Sequence, residues 1–526
     1  MADIPVARTL PDLLDELAAR HPRREALVGD ERRLDYAALR DAVRRCAKGL
    51  HALGIRRGDK VAILMGNRPE WIIADLAITL LGGVMVALNT WVTAPELEYL
   101  LHHSDTKLLL TVDRFLKYDY LALLEQITPR PTRLPVLERI VCLGDTGSPD
   151  HLSFDALLEA GRTVSDALID AAQRAVTPAD VAYLLYTSGS TSRPKGVQLQ
   201  HGALIENMWN IGERLHMTGQ DRLWFAVSLF WSFGCANALL VTLTHGGCLV
   251  LQEHFEPGAA LELIARERCT IFYGTPNMVQ ALDQHPERAR HDLSSLRSGA
   301  TIGSPEQMRR AIALAPQICQ VYGLTETYGN CSVTDAGDPP EQRVHGMGRA
   351  LPGVEIRIVD PDTGAVRPAG EVGEIRVKGY VTCGYYKDPE RSAASLDADG
   401  FFISGDLGLL DADGYVRFRG RLKEMVKTNG INVAPIEIEE VLMAHPAVRL
   451  AFVVGLPDPL RDEVLAAVIV PTQPDGVTVE ALAAHCRRSL AAYKLPRRFR
   501  LVAESDLPLT TTGKIQKNRI AALFDS

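Results

Sequence analysis

The chain lacks the marks of several protein classes, and each absence narrows the field. Its nine cysteines are scattered, at positions such as Cys46, Cys142, Cys235 and Cys486, with no CxxC pair and no metal-ligand spacing. A dispersed, odd set in 526 residues reads as reduced thiols of a cytosolic protein and argues against a disulfide scaffold or a zinc module. Positive charge is not in excess, since 57 basic residues face 65 acidic ones. That balance argues against nucleic acid or an anionic membrane as the main partner. The N-terminus, MADIPVARTLPDLLDE, has neither a basic n-region nor an apolar h-region, so no signal peptide is expected. The longest apolar stretch, Trp71 to Trp91, is interrupted by Asp75, Gly82-Gly83 and Asn89. It is expected to be a buried helix feeding a strand, with no membrane span. Low-complexity tracts and internal repeats are absent, and the final FDS matches no peroxisomal or ER address. A cytoplasmic location is the expectation.

What is present is length and alternation. A chain of 526 residues has room for about three or four domain-sized units. Asp35 to Leu53 carries apolar residues at three- and four-residue spacing and predicts an amphipathic helix ending near Gly54. Lys60 to Met65 predicts a strand, Pro69 to Leu81 a helix, and Leu108 to Val112 and Arg139 to Leu143 further short strands. This alternation predicts a large α/β N-terminal domain with layered, mainly parallel sheets. After about Pro352 the pattern changes to short strands (Val354 to Val359, Gly373 to Lys378, Tyr415 to Arg419) between Gly, Pro and Asp turns, a β-rich subdomain. A charged connector, Arg421-Leu422-Lys423-Glu424, precedes a smaller α+β segment. The predicted helices there are Pro435 to Met443 and Val479 to Leu490, and the predicted strands Leu450 to Val454 and Val464 to Val470. The expected division is 1–420 and 421–526, with the boundary at about 420–423.

Four stretches carry chemistry. Tyr186 to Val197 reads YTSGSTSRPKGV, five hydroxyl side chains around Gly189 with a Pro-Lys-Gly behind them, following the apolar run Val181 to Leu185. A strand that opens into a small, hydroxyl-rich loop suits a polyphosphate, because backbone N–H groups, hydroxyls and a lysine can converge on its oxygens. It is not a Walker A loop, because G-x-x-x-x-G-K-[ST] does not occur there. Tyr322-Gly323-Leu324-Thr325-Glu326 follows the apolar Ile318 to Val321. Tyr322 can stack on a base, Gly323 leaves room, and Glu326 can hold Mg²⁺ against phosphate oxygens or cap a helix start. Ser404 to Gly408, SGDLG, places Asp406 in a tight turn, where a carboxylate can bridge ribose hydroxyls or serve the turn alone. Thr510 to Ile515, TTTGKI, presents Lys514 on a glycine-flexed turn, able to bring charge to a closed site or to lie in solvent.

Together with Gly420 to Glu440, GRLKEMVKTNGINVAPIEIEE, and the run TTTGKIQK at 510–517, these stretches resemble the adenylate-forming superfamily in order and approximate spacing. That superfamily contains acyl-CoA synthetases, adenylation domains of peptide synthetases and beetle luciferases. The resemblance implies a two-step reaction. A carboxylate attacks the α-phosphate of ATP, and a thiol then displaces AMP from the acyl-adenylate. It implies ATP, Mg²⁺ and CoA as the small-molecule partners, and a mobile C-terminal domain. By position, Thr187, Ser188, Gly189, Ser190, Thr191 and Lys195 would cradle the β- and γ-phosphates. Tyr322 would lie against adenine with Gly299-Ala300-Thr301 on its other side. Thr325 would touch the α-phosphate, Glu326 the Mg²⁺, and Asp406 and Arg421 the ribose. Lys514 would bridge carboxylate and α-phosphate, Lys423 would stand at the hinge and Gly430 would line the pantetheine tunnel.

The chain departs from the commonest pattern at Ser190, Ser192, Asn429 and Trp231, the last standing where a histidine is usual. The resemblance places Trp209, Phe230, Trp231, Phe233, Tyr273, Gly274, Gly323, Gly329 and residues near Thr301 and Asn330 around the acyl group. No charged residue is among them, which favours a hydrophobic monocarboxylate: aryl, alicyclic or medium-chain. Acetate-specific relatives carry Trp where Gly323 stands, so an acid larger than acetate is expected. The leading expectation is an ATP-dependent acyl-CoA ligase. The alternative is a stand-alone adenylation enzyme that loads a carrier-protein thiol; no carrier domain follows in the sequence. Oligomeric state, monomer or homodimer, is left open.

Overall fold

The computed structural model describes residues 4–29, 32–144, 146, 148, 150–187, 194–428, 431–458, 462–474, 476–490, 494–509 and 515–525. Contacts divide the chain into two compact units, one of Met1–Glu355 with Val377–Phe402 and one of Ile356–Arg376 with Ile403–Ser526. The predicted boundary at 420–423 falls inside the second of these.

The predicted amphipathic helix is Tyr36–Ala52. Asp35 caps it, accepting the Ala38 N–H at 2.8 Å, and Gly54 follows its end at φ 88°. The broken apolar stretch is a helix, Pro69–Leu80, buried at every position except Glu70, then the strand Val84–Ala87. Its apolar residues run all round the helix because it is packed on all sides, the alternative origin of such a sequence to a membrane. No described helix is long and apolar enough to cross a membrane.

Two sheets dominate the first unit among the described residues. A seven-stranded sheet runs in the order Lys195–Gln200, Val181–Thr187, Val84–Ala87, Lys60–Leu64, Thr106–Val112, Arg139–Leu143, Leu152–Ser153. All of its neighbours are parallel except the first pair. A nine-stranded sheet has a parallel centre of Gln317–Tyr322, Ser298–Thr301, Ile271–Tyr273, Arg222–Phe225, Cys248–Leu251 and Glu25–Val28, with antiparallel strands at both ends. Strand alternation sorts its two faces. Phe225, Tyr273, Ala300 and Cys319 are in register and join Ile63, Leu110 and Leu184 of the other sheet in one core. Their chain neighbours Trp224, Phe272 and Ile318 face a second core with Leu261, Ile264 and Met308. Both faces are covered, as parallel sheets require.

In the second unit a four-stranded sheet orders Glu355–Val359, Gly373–Lys378, Phe402–Leu410 and Val416–Arg421. Asp406 is therefore in a strand, and the expected tight turn at SGDLG is replaced by a local kink. Gly405 takes φ 70°, and the pairing register shifts between Leu407 and Gly408. Turn-type residues gave the same signal that a strand irregularity gives. The C-terminal segment has a long antiparallel pair, Val448–Asp458 with Asp462–Pro471, covered by the helices Pro435–Met443 and Val479–Ser489. Ile438, Leu442, Leu482 and Cys486 from those helices pack on Val453, Leu465 and Ile469.

Candidate active site

Thr187, Tyr273, Thr301 and Tyr322 of the predicted site lie at the C-terminal ends of strands with parallel neighbours, where open α/β sheets bind ligands. Val181–Thr187 and Lys195–Gln200 form an antiparallel hairpin in which Thr187 pairs with Lys195. Ser188, Gly189, Ser190 and Thr191 lie outside the described residues. The stems of their loop are held from the side: the Tyr99 hydroxyl donates to Pro194 O at 2.8 Å, and Tyr186 OH lies 2.7 Å from His103 Nδ1. The Thr187 hydroxyl is buried and has no partner among the described residues.

The strand Gln317–Tyr322 runs directly into a 3-10 turn over Thr325–Thr327, whose start is tied by Leu324 N–H donating to Thr327 Oγ1 at 2.9 Å. This turn aims Glu326 inward, 5 % exposed. Lys195 Nζ lies 2.6 Å from Glu326 Oε1. The phenol of Tyr385 sits between them, accepting from Lys195 at 2.8 Å and donating to Glu326 at 3.0 Å. Burial, and then the Glu326 carboxylate, hold the Tyr385 phenol far above its ordinary pKa, so it stays a donor. Sequence reasoning assigned Lys195 to phosphate and Glu326 to metal but did not expect them to meet. Nor did it single out Tyr385, whose only signal is its place between Gly384 and a proline-started helix, Pro389–Ala394.

Gly323 has a packing reason of its own. A Cβ there would meet Gly329 O at 2.3 Å and Asn330 Cα at 2.5 Å, because the chain folds back upon itself. The returning segment is held by amides: Asn207 donates to Asn330 O at 2.9 Å, Asn237 donates to Tyr328 O at 3.1 Å, and Asn330 donates to Asn237. Gly299, Ala300 and Thr301 lie on the strand beside Tyr322, with Thr301 in register with Gln320. Tyr322 is buried, 3 % exposed.

The aromatic residues expected around the acyl group form two contacts. Phe230 and Trp231 pack edge to face, centroids 5.7 Å apart, and both meet Trp91, at 5.4 and 6.2 Å. Phe233 lies on Tyr273 at 4.6 Å. Trp91 was legible only as the end of the apolar stretch. Gly274 follows Tyr273, and a Cβ there would press on the Phe272 ring. Trp209 is not part of this cluster in its ring contacts. It stacks on His245 at 4.4 Å and 9°, because its position on the helix His201–Arg214 turns it to the strand-connecting segment. Ser232 joins the aromatic segment to the turn, its Oγ 3.1 Å from Thr325 Oγ1. Phe233–Leu239 is a π-helical stretch, a form that often marks functional positions. A cavity of about 420 Å³ lined by Arg68, Phe115, Glu253 and His254 shares none of these residues.

In the second unit Asp406 and Arg421 pair in register, Arg421 Nε 3.2 Å from Asp406 Oδ1, with Asp406 buried and Arg421 largely exposed. Lys423 is exposed in a 3-10 turn, Leu422–Glu424. Lys517 reaches Glu424 at 3.1 Å and Glu439 at 3.0 Å. Lys514 and Gly430 lie outside the described residues. Among the described residues no group of three metal-binding side chains occurs.

Comparison with known proteins identifies the family. Residues 14–386 match the family model of AMP-binding enzymes, and 437–514 that of the AMP-binding enzyme C-terminal domain. The chain is 36 % identical to a putative acyl-CoA synthetase, YngI, of Bacillus subtilis, over 99 % of this chain and 97 % of that protein. It is 32 % identical to the mitochondrial medium-chain acyl-CoA ligase ACSF2 of Mus musculus, over 98 % and 87 %. The crystal structure of the anthranilate CoA ligase AuaEII with anthranoyl-AMP superposes with a TM-score of 0.88 at 28 % identity, over 99 % and 98 %. With both domain models matched and close to full-length similarity on these relatives, the chain belongs to the AMP-binding enzyme family and is an adenylate-forming acyl-CoA ligase.

Proposed function

We propose that this ligase activates a hydrophobic monocarboxylic acid larger than acetate, aryl, alicyclic or medium-chain, with flat cyclic acids favoured. A carboxylate oxygen attacks the α-phosphorus of ATP, the bond to the bridging oxygen breaks and pyrophosphate leaves. The CoA thiol then attacks the acyl carbonyl, the C–O bond to AMP breaks, and the thiol proton is released. The observation that supports the substrate class is the aromatic set of Trp91, Phe230, Trp231, Phe233 and Tyr273, which presents ring faces and edges and no charge.

In this reading Thr187, the loop 188–191 and Lys195 hold the departing phosphates, and Tyr322 with Gly299, Ala300 and Thr301 holds the base. Thr325 meets the α-phosphate. Asp406 and Arg421 take the ribose hydroxyls. Glu326 fits Mg²⁺, which is commonly bound through one or two carboxylates plus substrate phosphates; once bound, the ion supplies charge to the phosphate oxygens. Adenylation brings two anions together, and Lys514 provides the cation at the reacting centre. A preorganised charge of this kind is worth about 3–4 kcal/mol, roughly 10²–10³ in rate. Lys423 serves as the pivot between the two half-reactions, and Gly430 leaves passage for the pantetheine thiol. The location is cytoplasmic.

An acid panel coupled to AMP formation, run with CoA and with a phosphopantetheinylated carrier, tests the reading. Turnover of aryl or medium-chain acids with CoA is expected. AMP release with the carrier alone, or only with charged or two-carbon acids, would overturn it. Lys423→Pro should leave pyrophosphate release intact and slow transfer to CoA; unchanged transfer in single-turnover kinetics would remove the pivot.

A further inference from the structure

The segment that carries Tyr385 is tied to both of its charged partners by backbone. Thr382 N–H donates to Glu326 O at 2.7 Å, and Tyr386 N–H donates to Gly196 O at 2.8 Å, next to Lys195. Val197 and Tyr385 form an isolated antiparallel bridge. Tyr385 N–H is itself held by Ser392 Oγ at 2.8 Å. The ring is 5 % exposed and lies beneath the ammonium, with Lys195 Nζ 4.4 Å from its centroid. A buried ion pair needs good geometry and further hydrogen bonds to compensate its desolvation. Here one hydroxyl meets both charges, as acceptor for one and donor to the other.

We propose that Tyr385 is a positioning residue for adenylation: its hydroxyl sets the spacing of Lys195 and Glu326, so that the cation meant for phosphate and the carboxylate meant for Mg²⁺ are presented together. The inference rests on the assignment of Lys195 to phosphate and Glu326 to metal. Its physical content is orientation. An ammonium on a four-carbon stem has many rotamers, and the phenol selects the one that faces the carboxylate. The carboxylate in turn keeps a donor that does not leave when Lys195 turns to a phosphate oxygen.

Tyr385→Phe in the full chain keeps the ring and removes only the hydroxyl. The KM for Mg-ATP in pyrophosphate exchange should rise about tenfold, the size of one hydrogen bond to a charged group. The maximal exchange rate should change less than about threefold. The dissociation constant of Mg-ATP, measured by calorimetry without acid substrate, should rise in parallel, and transfer from supplied acyl-adenylate to CoA should keep its rate. Lys195→Met and Glu326→Gln are measured beside it. If both weaken Mg-ATP while Tyr385→Phe does not, Tyr385 has no positioning role and the site assignment stands. If neither of the two weakens Mg-ATP, the assignment and the proposal fall together. A drop in melting temperature with loss of both half-reactions and an unchanged KM would make Tyr385 purely structural and overturn the proposal.

Discussion

Two buried carboxylates of the first unit keep different company. Asp75, in the interior of the helix Pro69–Leu80, is fully buried and accepts the Tyr183 hydroxyl at 2.9 Å on one oxygen, while the other has no hydrogen-bond partner among the described residues. Burial pushes its pKa up to about 8, against the smaller lowering effect of the Tyr183 hydrogen bond. Glu326 is almost as buried and also accepts a phenol, from Tyr385, but it has the Lys195 ammonium at 2.6 Å as well. The difference is the countercharge. In the core a carboxyl is accommodated by keeping its proton. At the site an ammonium opposes the carboxylate, and that same ammonium is what a phosphate needs. Low dielectric serves both, because it penalises a lone charge and strengthens a paired one.

The largest expected effect lies with charge delivered to the reacting centre. Lys514→Ala should lower adenylation by about 10²–10³, measured as pyrophosphate exchange, and leave transfer from supplied acyl-adenylate intact. Equal loss in both steps would contradict the role given to Lys514.

The next variant turns Glu326 into a second Asp75. Lys195→Met leaves the carboxylate with the phenol alone. Because Lys195 retains some exposure, the cost in stability should be at the low end for a broken buried pair, up to about 3 kcal/mol. The double variant Lys195→Met with Glu326→Gln should recover most of the melting temperature while adenylation stays low. Denaturation and exchange assays on the four proteins form the cycle; full recovery of activity together with stability would show that the pair acts only on the fold.

The smallest effect belongs to Asp75. A carboxyl whose folded pKa is raised from its ordinary value to about 8 contributes stability that is fully present below about pH 4 and is lost as pH rises through 8. Asp75→Asn retains an acceptor for Tyr183 and cannot ionise. Its melting temperature should therefore vary less between pH 5 and 9, with an advantage over the parent chain that grows as pH rises through that range. Parallel pH profiles for the two proteins would mean that Asp75 ionises at little cost where it lies.

Much of the fold was legible where period and punctuation agree. The strand Arg139–Leu143 and the helix Pro435–Met443 fall where apolar spacing puts them. The helix Tyr36–Ala52 starts one residue inside the predicted span, because Asp35 serves as its cap. The SGDLG stretch misled because glycine and aspartate mark a kinked strand as readily as a turn. For Trp209, placed around the acyl group by the resemblance, only the packed structure shows the neighbour of its ring, His245.

The site divides in the same way. Taken one at a time, the stretches left two readings open for Glu326, Asp406 and Lys514; it was their residue types in order along the chain, through the resemblance to the adenylate-forming superfamily, that pointed to the class of reaction. Those types and their order are properties of the chain itself. What only the tertiary structure decided is who meets whom: Lys195 with Glu326, both with Tyr385 nearly 60 residues beyond Glu326, and Trp91 with Phe230 and Trp231. Those meetings come from the stacking of two sheets and from loops returning over strand ends. Hydrogen bonds and ion pairs act over a few ångströms and take no account of distance along the sequence, so only the packed structure could select them.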